Sequence, residues 1–220
     1  MLLEDEKEEE ALKPTRLGQS GKPRGRLGRA LGWFMLRVNG PINARTVRAL
    51  EMQPGETVLE IGCGPGDAVA RLVREAQARR IFAVDHSPDM VDAAKALNRT
   101  AIREGTVDIR ECSVSKMPFR DGTFDAIVAI NSIQFWPHLR LDLKEVMRVM
   151  KPGGRFVAAM RMTMEYRARR RVEVIARALP NAGFVGIGLE EVDARAFRMA
   201  LIEGKRPIWS GGGPYDAFTR

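Results

Sequence analysis

Apolar positions along the chain fall into two alternating patterns. Short apolar runs bounded by turn residues recur at Thr57–Ile61, Arg80–Asp85, Val107–Glu111, Phe124–Ile130 and Arg155–Met160. Runs of this length predict strands of a covered sheet. Between them, apolar residues return every three or four positions: Val69, Leu72, Val73 and Ala76, then Met90, Ala94, Leu97 and Ala101, then Leu139, Leu143, Val146, Met147 and Met150. Each set predicts a helix with one buried face. Ser87 and Pro88 are suited to the cap and first position of the second helix. Pro152-Gly153-Gly154 is expected to end the third. Phe124–Ile130, apolar but for Asp125, is expected at the centre of the sheet, and the more alternating Val107–Glu111 nearer an edge. Strands that alternate with helices predict an α/β architecture, a doubly wound and mostly parallel sheet with right-handed crossovers.

Both ends add to this plan. Leu31, Phe34, Met35 and Val38 predict a helix, Asn39-Gly40-Pro41 a break, and Asn43 to Leu50 a second helix with Val47 and Leu50 inward. These helices either cover a ligand site or pack on the sheet. Glu165 to Leu179 reads as a helix with Val172, Ile175, Ala176 and Leu179 inward, its first half crowded by Arg167, Arg169, Arg170 and Arg171. Phe184 to Glu191 and Ala196 to Ile202 then read as an antiparallel hairpin at the C-terminal edge. The expected division is a flexible charged arm over 1–26, one domain over 27–204 whose helices at 27–50 form an N-terminal lid, and a tail over 205–220.

The formal charge of +8 is unevenly spread. Residues 4–10 carry six acids and one lysine, whereas residues 13–37 carry Lys13, Arg16, Lys22, Arg24, Arg26, Arg29 and Arg37 and no acid. Such an arm can steer toward a polyanion, or serve as a solvated tail punctuated by glycine. Cys63 and Cys112 form neither a disulfide framework nor a metal-ligand spacing, and His86 and His138 lack a carboxylate pair, so no metal is expected. The acidic N-terminus is unlike a signal peptide, and no apolar run approaches the ~20 residues of a membrane span. Reduced thiols and a cytoplasmic location are the economical reading.

Candidate chemistry concentrates where the first strand meets its helix. Gly62, Gly64 and Gly66 alternate there, giving a turn in which backbone can approach a ligand, followed by a helix start with exposed N–H groups. A dinucleotide fingerprint wants a third glycine at the position held by Asp67. Instead Glu60 stands two residues before the first glycine, and Asp85 ends the second strand ~20 residues later, the interval at which a carboxylate meets ribose hydroxyls.

Four segments, in order, carry a family resemblance. Val58-Leu59-Glu60-Ile61-Gly62-Cys63-Gly64-Pro65-Gly66 and Val84-Asp85-His86-Ser87-Pro88-Asp89-Met90 resemble the first and second motifs of the class I S-adenosylmethionine-dependent methyltransferases. Met117-Pro118-Phe119 with Asp121-Gly122-Thr123-Phe124-Asp125, and Arg148-Val149-Met150-Lys151-Pro152-Gly153-Gly154-Arg155, resemble the passages before the fourth and fifth strands. The similarity covers about residues 55–160, within a Rossmann-like methyltransferase sheet, and is greatest to the quinone and sterol C-methylating branch. It implies that Gly62, Gly64 and Gly66 admit the methionine and ribose portions of S-adenosylmethionine, with S-adenosylhomocysteine as product. It also implies that Glu60 lies near the methionyl ammonium or holds the loop, that Asp85 takes both ribose hydroxyls, that His86 and Met90 flank the adenine, and that Asn131 offers backbone to the methionyl amine. Ser113 stands where relatives place an adenine-binding acid, so either its hydroxyl or the Val114 backbone takes that role.

Methyl transfer from a sulfonium is a direct displacement and needs a base only if the acceptor must lose a proton. His138 and Tyr166 are the candidate catalytic bases, with Glu165 beside them, and Phe135 and Trp136 are candidate walls of an acceptor pocket. The expected function is methyl transfer to a small apolar or aromatic acceptor. Two alternatives stay open: an RNA or protein acceptor reached through the basic arm, and a non-catalytic partner subunit that binds S-adenosylmethionine. The oligomeric state is not legible.

Overall fold

The structure, a computed structural model, describes residues 39–76, 78–162, 165–194 and 197–208. The arm expected over 1–26, the first expected N-terminal helix and residues 209–220 of the expected tail lie outside them. Among the described residues seven strands form one sheet: β1 (Thr57–Ile61), β2 (Arg80–Asp85), β3 (Val107–Glu111), β4 (Phe124–Ile130), β5 (Met150–Arg161), β6 (Val185–Ala194) and β7 (Phe197–Lys205). Their order is β3-β2-β1-β4-β5-β7-β6. The pairs among β1 to β5 are parallel, and β7 runs antiparallel to both β5 and β6. The expected architecture holds, with β4 central, β3 at one edge and the hairpin at the other.

Helices cover both faces, which is why β1 is buried at every position. Helix α1 (residues 39–49), α2 (Asp67–Glu75) and α3 (Pro88–Leu97) bury Ile42, Val47, Val69, Leu72 and Val91 against one face. A short α4 (Arg99–Arg103) comes next. On the other face α5 (Leu139–Val149) and α6 (Glu165–Asn181) bury Leu143, Val146, Ile175 and Leu179 around Phe156.

Three local expectations are corrected. Residues 39–41 are helical and belong to α1; a proline's fixed φ is itself a helical one. The helix expected to run from Pro88 to Ala101 is broken at Asn98, whose buried Nδ2 donates to the carbonyls of Ala94 at 2.9 Å and Gly66 at 3.1 Å. Helix α5 ends at Val149, three residues before the Pro-Gly-Gly. Met150 already pairs with Phe124, and the ladder resumes at Arg155 opposite Ala126. The intervening Lys151–Gly154 form an irregularity in the strand, tight enough that a Cβ on Gly154 would stand 2.7 Å from Met150 Cγ.

Arg155 then secures the chain between α1 and β1. Its guanidinium pairs with Glu56 at 2.5 and 2.8 Å and donates to the carbonyls of Leu50 and Glu51. The hydrogen bond from Arg155 holds the Glu56 carboxyl below its ordinary range. Arg155→Ala should lower the free energy of unfolding by about 2 kcal/mol near neutral pH, measured by denaturant titration. A carboxyl depressed in the folded state contributes stability above its unfolded value and loses it as pH falls through the folded one. The difference between wild type and variant should therefore shrink between about pH 5 and about pH 3.

Candidate active site

Strand order reverses between β1 and β4, and a cleft of about 470 Å³ opens at the carboxyl ends of β1, β2 and β4. Open α/β sheets take ligands at such a switch point. The loop leaving β1 passes through Gly62, Gly64 and Gly66 at φ of 75°, 51° and 90°, values that side chains other than glycine adopt only with strain. The three glycines have different reasons. A Cβ on Gly62 would stand 2.4 Å from Ser132 Cβ, and Ser132 Oγ donates to the Ile61 carbonyl at 2.6 Å. A Cβ on Gly66 would meet Ala94 Cα at 2.9 Å, so Gly66 packs against α3 and does not line the cleft. Gly64 lines the cleft with no atom within 4 Å of where a Cβ would stand.

Asp85, at the tip of β2, is buried beside this loop. Its Oδ2 accepts the Gly64 N–H and its Oδ1 the Ser87 N–H, both at 2.9 Å. An ionised carboxylate has about four acceptor sites, so both oxygens retain capacity toward the cleft. His86 is exposed, with Nδ1 3.7 Å from Asp85 Oδ1, and Met90 is buried on the first turn of α3; both line the cleft. Ser113 and Val114 line the same wall. The Ser113 hydroxyl is exposed and accepts the Ser115 N–H at 3.2 Å.

Glu60, on β1, is 2% exposed. Its Oε2 has no hydrogen-bond partner. Burial, with Asp67 and Asp85 nearby, pushes its carboxyl well above the ordinary range. Burial likewise raises the Cys63 thiol well above its ordinary value, and that of Cys112 to about 11. Both line the cleft as neutral thiols, poor nucleophiles in that state.

The far wall comes from β4 and the segment between it and α5. Asn131 takes a left-handed φ of 50°; its N–H donates to Ala159, its Oδ1 accepts the Arg161 N–H and its Nδ2 donates to Asn39 Oδ1 at 3.3 Å. Phe135, Trp136 and Pro137 complete that wall, and Trp136 also packs on Phe156 in the core. The lining stops there: His138 is exposed at the N-terminus of α5 and is not among the lining residues. Tyr166 and Glu165 lie in the first turn of α6, and their side chains are outside the described part of the structure.

Sequence reasoning missed four side chains. Asp67 lines the cleft and accepts Asn43 Nδ2 at 2.8 Å and Arg71 Nε at 3.1 Å, which fastens α1 to the glycine loop. Asn43, placed in the second N-terminal helix, lines the cleft from α1, so that helix both packs on the sheet and edges the site. Ser132 ties the end of β4 to the end of β1 through the Ile61 carbonyl. Asp142, fully buried in α5, accepts the Ser115 hydroxyl at 2.7 Å and the His138 N–H at 2.9 Å, joining two loops at the cleft. Only the acid one position after the glycines stood inside a visible motif.

Residues 59–158 match the family model described as a methyltransferase domain. The similarity is to a methyltransferase domain. The chain is 36% identical over 107 residues to cycloartenol-C-24-methyltransferase 1 of Oryza sativa subsp. japonica, covering 49% of this chain and 31% of that protein. It is 33% identical over 138 residues to the ubiquinone/menaquinone biosynthesis C-methyltransferase UbiE of Brucella abortus (strain S19), covering 60% and 50%. The chain thus spans about a third to a half of the length of these curated relatives. The crystal structure of a SAM-dependent methyltransferase from Aquifex aeolicus superposes with a TM-score of 0.62 at 18% identity, covering 74% of this chain and 88% of that one. The resemblance to S-adenosylmethionine-dependent methyltransferases expected from the four segments holds, in sequence and in fold.

The glycines of the loop after β1 separate experimentally. Gly62→Ala, which strains φ and meets Ser132, should cost about 3 kcal/mol of stability. Gly64→Ala, which meets open space, should cost only about 1 kcal/mol, from φ strain. Thermal and denaturant unfolding of the two variants checks the order.

Proposed function

We propose that this chain transfers a methyl group from S-adenosylmethionine to a small apolar or aromatic acceptor by in-line displacement. The observation that carries the reading is Asp85, a buried carboxylate that closes β2 directly beside the left-handed glycine loop and lines the cleft. In this reading Asp85 accepts the ribose hydroxyls and His86, Met90, Ser113 and Val114 border the adenine. The bare backbone at Gly62 and Gly64 lies along the ribose and amino-acid end, with Gly66 holding the loop on α3. Glu60 Oε2, buried and unpartnered, suits the ammonium of that end, and Asn131 borders it. The cleft volume of about 470 Å³ lies in the ordinary range for small-ligand sites.

The donor supplies an activated methyl group on a positively charged sulfur. The chain's own residues bind, orient and exclude water, and alignment alone supplies roughly 7–11 kcal/mol in favourable cases. Phe135, Trp136 and Pro137 form the apolar wall that suits the acceptor, and the sterol and quinone relatives support an acceptor of that kind. His138 and Tyr166 remain candidate bases for an acceptor that must lose a proton, and Asp67, anchored through one oxygen, is a further one.

Calorimetry with S-adenosylmethionine tests the donor, and Asp85→Ala should weaken its binding roughly ten- to a hundredfold. Incubation with methyl-labelled donor and fractionated cell extract should place label in the lipid-soluble fraction. Label in RNA or protein instead would overturn the acceptor class.

A further inference from the structure

Three carboxyl groups line the cleft, those of Glu60, Asp67 and Asp85, and among the described residues no lysine or arginine lines it. The three are not equivalent. Asp85 accepts two backbone N–H groups, and Asp67 accepts an amide and a guanidinium nitrogen. Glu60 is 2% exposed and buries its Oε2 without a hydrogen-bond partner. An ionised carboxylate so placed would face the carboxylates of Asp67 and Asp85, with no cationic side chain among the lining residues. Retaining its proton is the less costly state.

We propose that Glu60 exchanges a proton for the donor's ammonium: as the amino-acid end enters beside Oε2, the carboxyl releases its proton to solvent and an ion pair takes its place. The inference rests on S-adenosylmethionine being the donor. The balance is simple. The Glu60 O–H bond breaks, its proton goes to the buffer, and the ammonium keeps its own protons and becomes the hydrogen-bond donor to the freed oxygen; nothing is oxidised or reduced.

The groups that could contribute to such exchange are few. Helix α2 presents Asp67, β2 presents Asp85 with His86 beside it, and the glycine loop presents Cys63. Helix α1 presents Asn39 and Asn43 and the end of β4 presents Asn131 and Ser132, none of which titrates. The Cys63 and Cys112 thiols are held neutral by burial. His86 adjoins Asp85, so any exchange it makes would persist when Glu60 is replaced.

Calorimetry on the full chain near pH 6.5, in buffers of different ionisation heat, reads the exchange directly. S-adenosylhomocysteine, which keeps the ammonium, should release protons as it binds, and its affinity should rise with pH. 5′-Methylthioadenosine, which lacks the amino-acid end, should bind with no release. Glu60→Gln keeps the side chain's shape, and should bind S-adenosylhomocysteine without release and without the rise. Binding of S-adenosylhomocysteine to the wild type with no proton released overturns the proposal. So does equal release in Glu60→Gln, or equal release with 5′-methylthioadenosine. Should the variant not fold, the two ligands compared on the wild type decide alone. No heat from either ligand overturns the donor assignment itself, an outcome distinct from binding without exchange.

Discussion

A single buried carboxylate, that of Asp85, ties together the loops between which the cleft opens. One oxygen holds the Gly64 N–H of the loop after β1, and the other holds the Ser87 N–H that begins the turn into α3. Backbone N–H groups bound to an ionised acceptor are held more firmly than by neutral partners. On the opposite side the Ser132 hydroxyl holds the Ile61 carbonyl, and the missing side chain at Gly62 lets the end of β4 approach that closely. The mouth of the sheet is therefore shaped by side chains gripping main chain, and its floor is bare peptide.

Much of the fold was legible because the sheet is covered on both faces. Strands β2, β3 and β4 have the bounds their apolar runs predict, since a run buried on both sides tolerates few polar residues. The errors fall where one signal serves two structures. Pro152-Gly153-Gly154 suits the end of a helix, yet here it makes an irregular start to β5, decided by the pairing of Met150 with Phe124. Asn98 looked like one more residue of a long helix. The break in the helix there is accompanied by a bond to the carbonyl of Gly66, a partner that no local pattern reveals.

The site divides in the same way. Glu60, the glycines and Asp85 belong to segments whose spacing carries meaning, and all but Gly66 line the cleft. Asn43 and Asp67, Ser115 and Asp142, and Ser132 and Ile61 meet across 24, 27 and 71 residues of sequence. Such pairs are set by packing of distant elements, and a single sequence carries no periodic trace of them. His138 was singled out for its chemistry alone. The main-chain turn that puts Pro137 at the cleft leaves the imidazole facing solvent.

The hairpin has a consequence for how the molecule behaves toward its own copies. An outermost strand offers unpaired main-chain groups that can recruit a further strand and begin fibrous assembly. Strand β6 carries Glu190, Glu191 and Asp193 along that border, each neutralised within the chain by Arg45, Arg169 or Arg198. The opposite border, β3, carries Asp108 and Arg110 as an internal couple. A strand docking at either margin would set its own side chains beside these charged couples on the faces of the sheet.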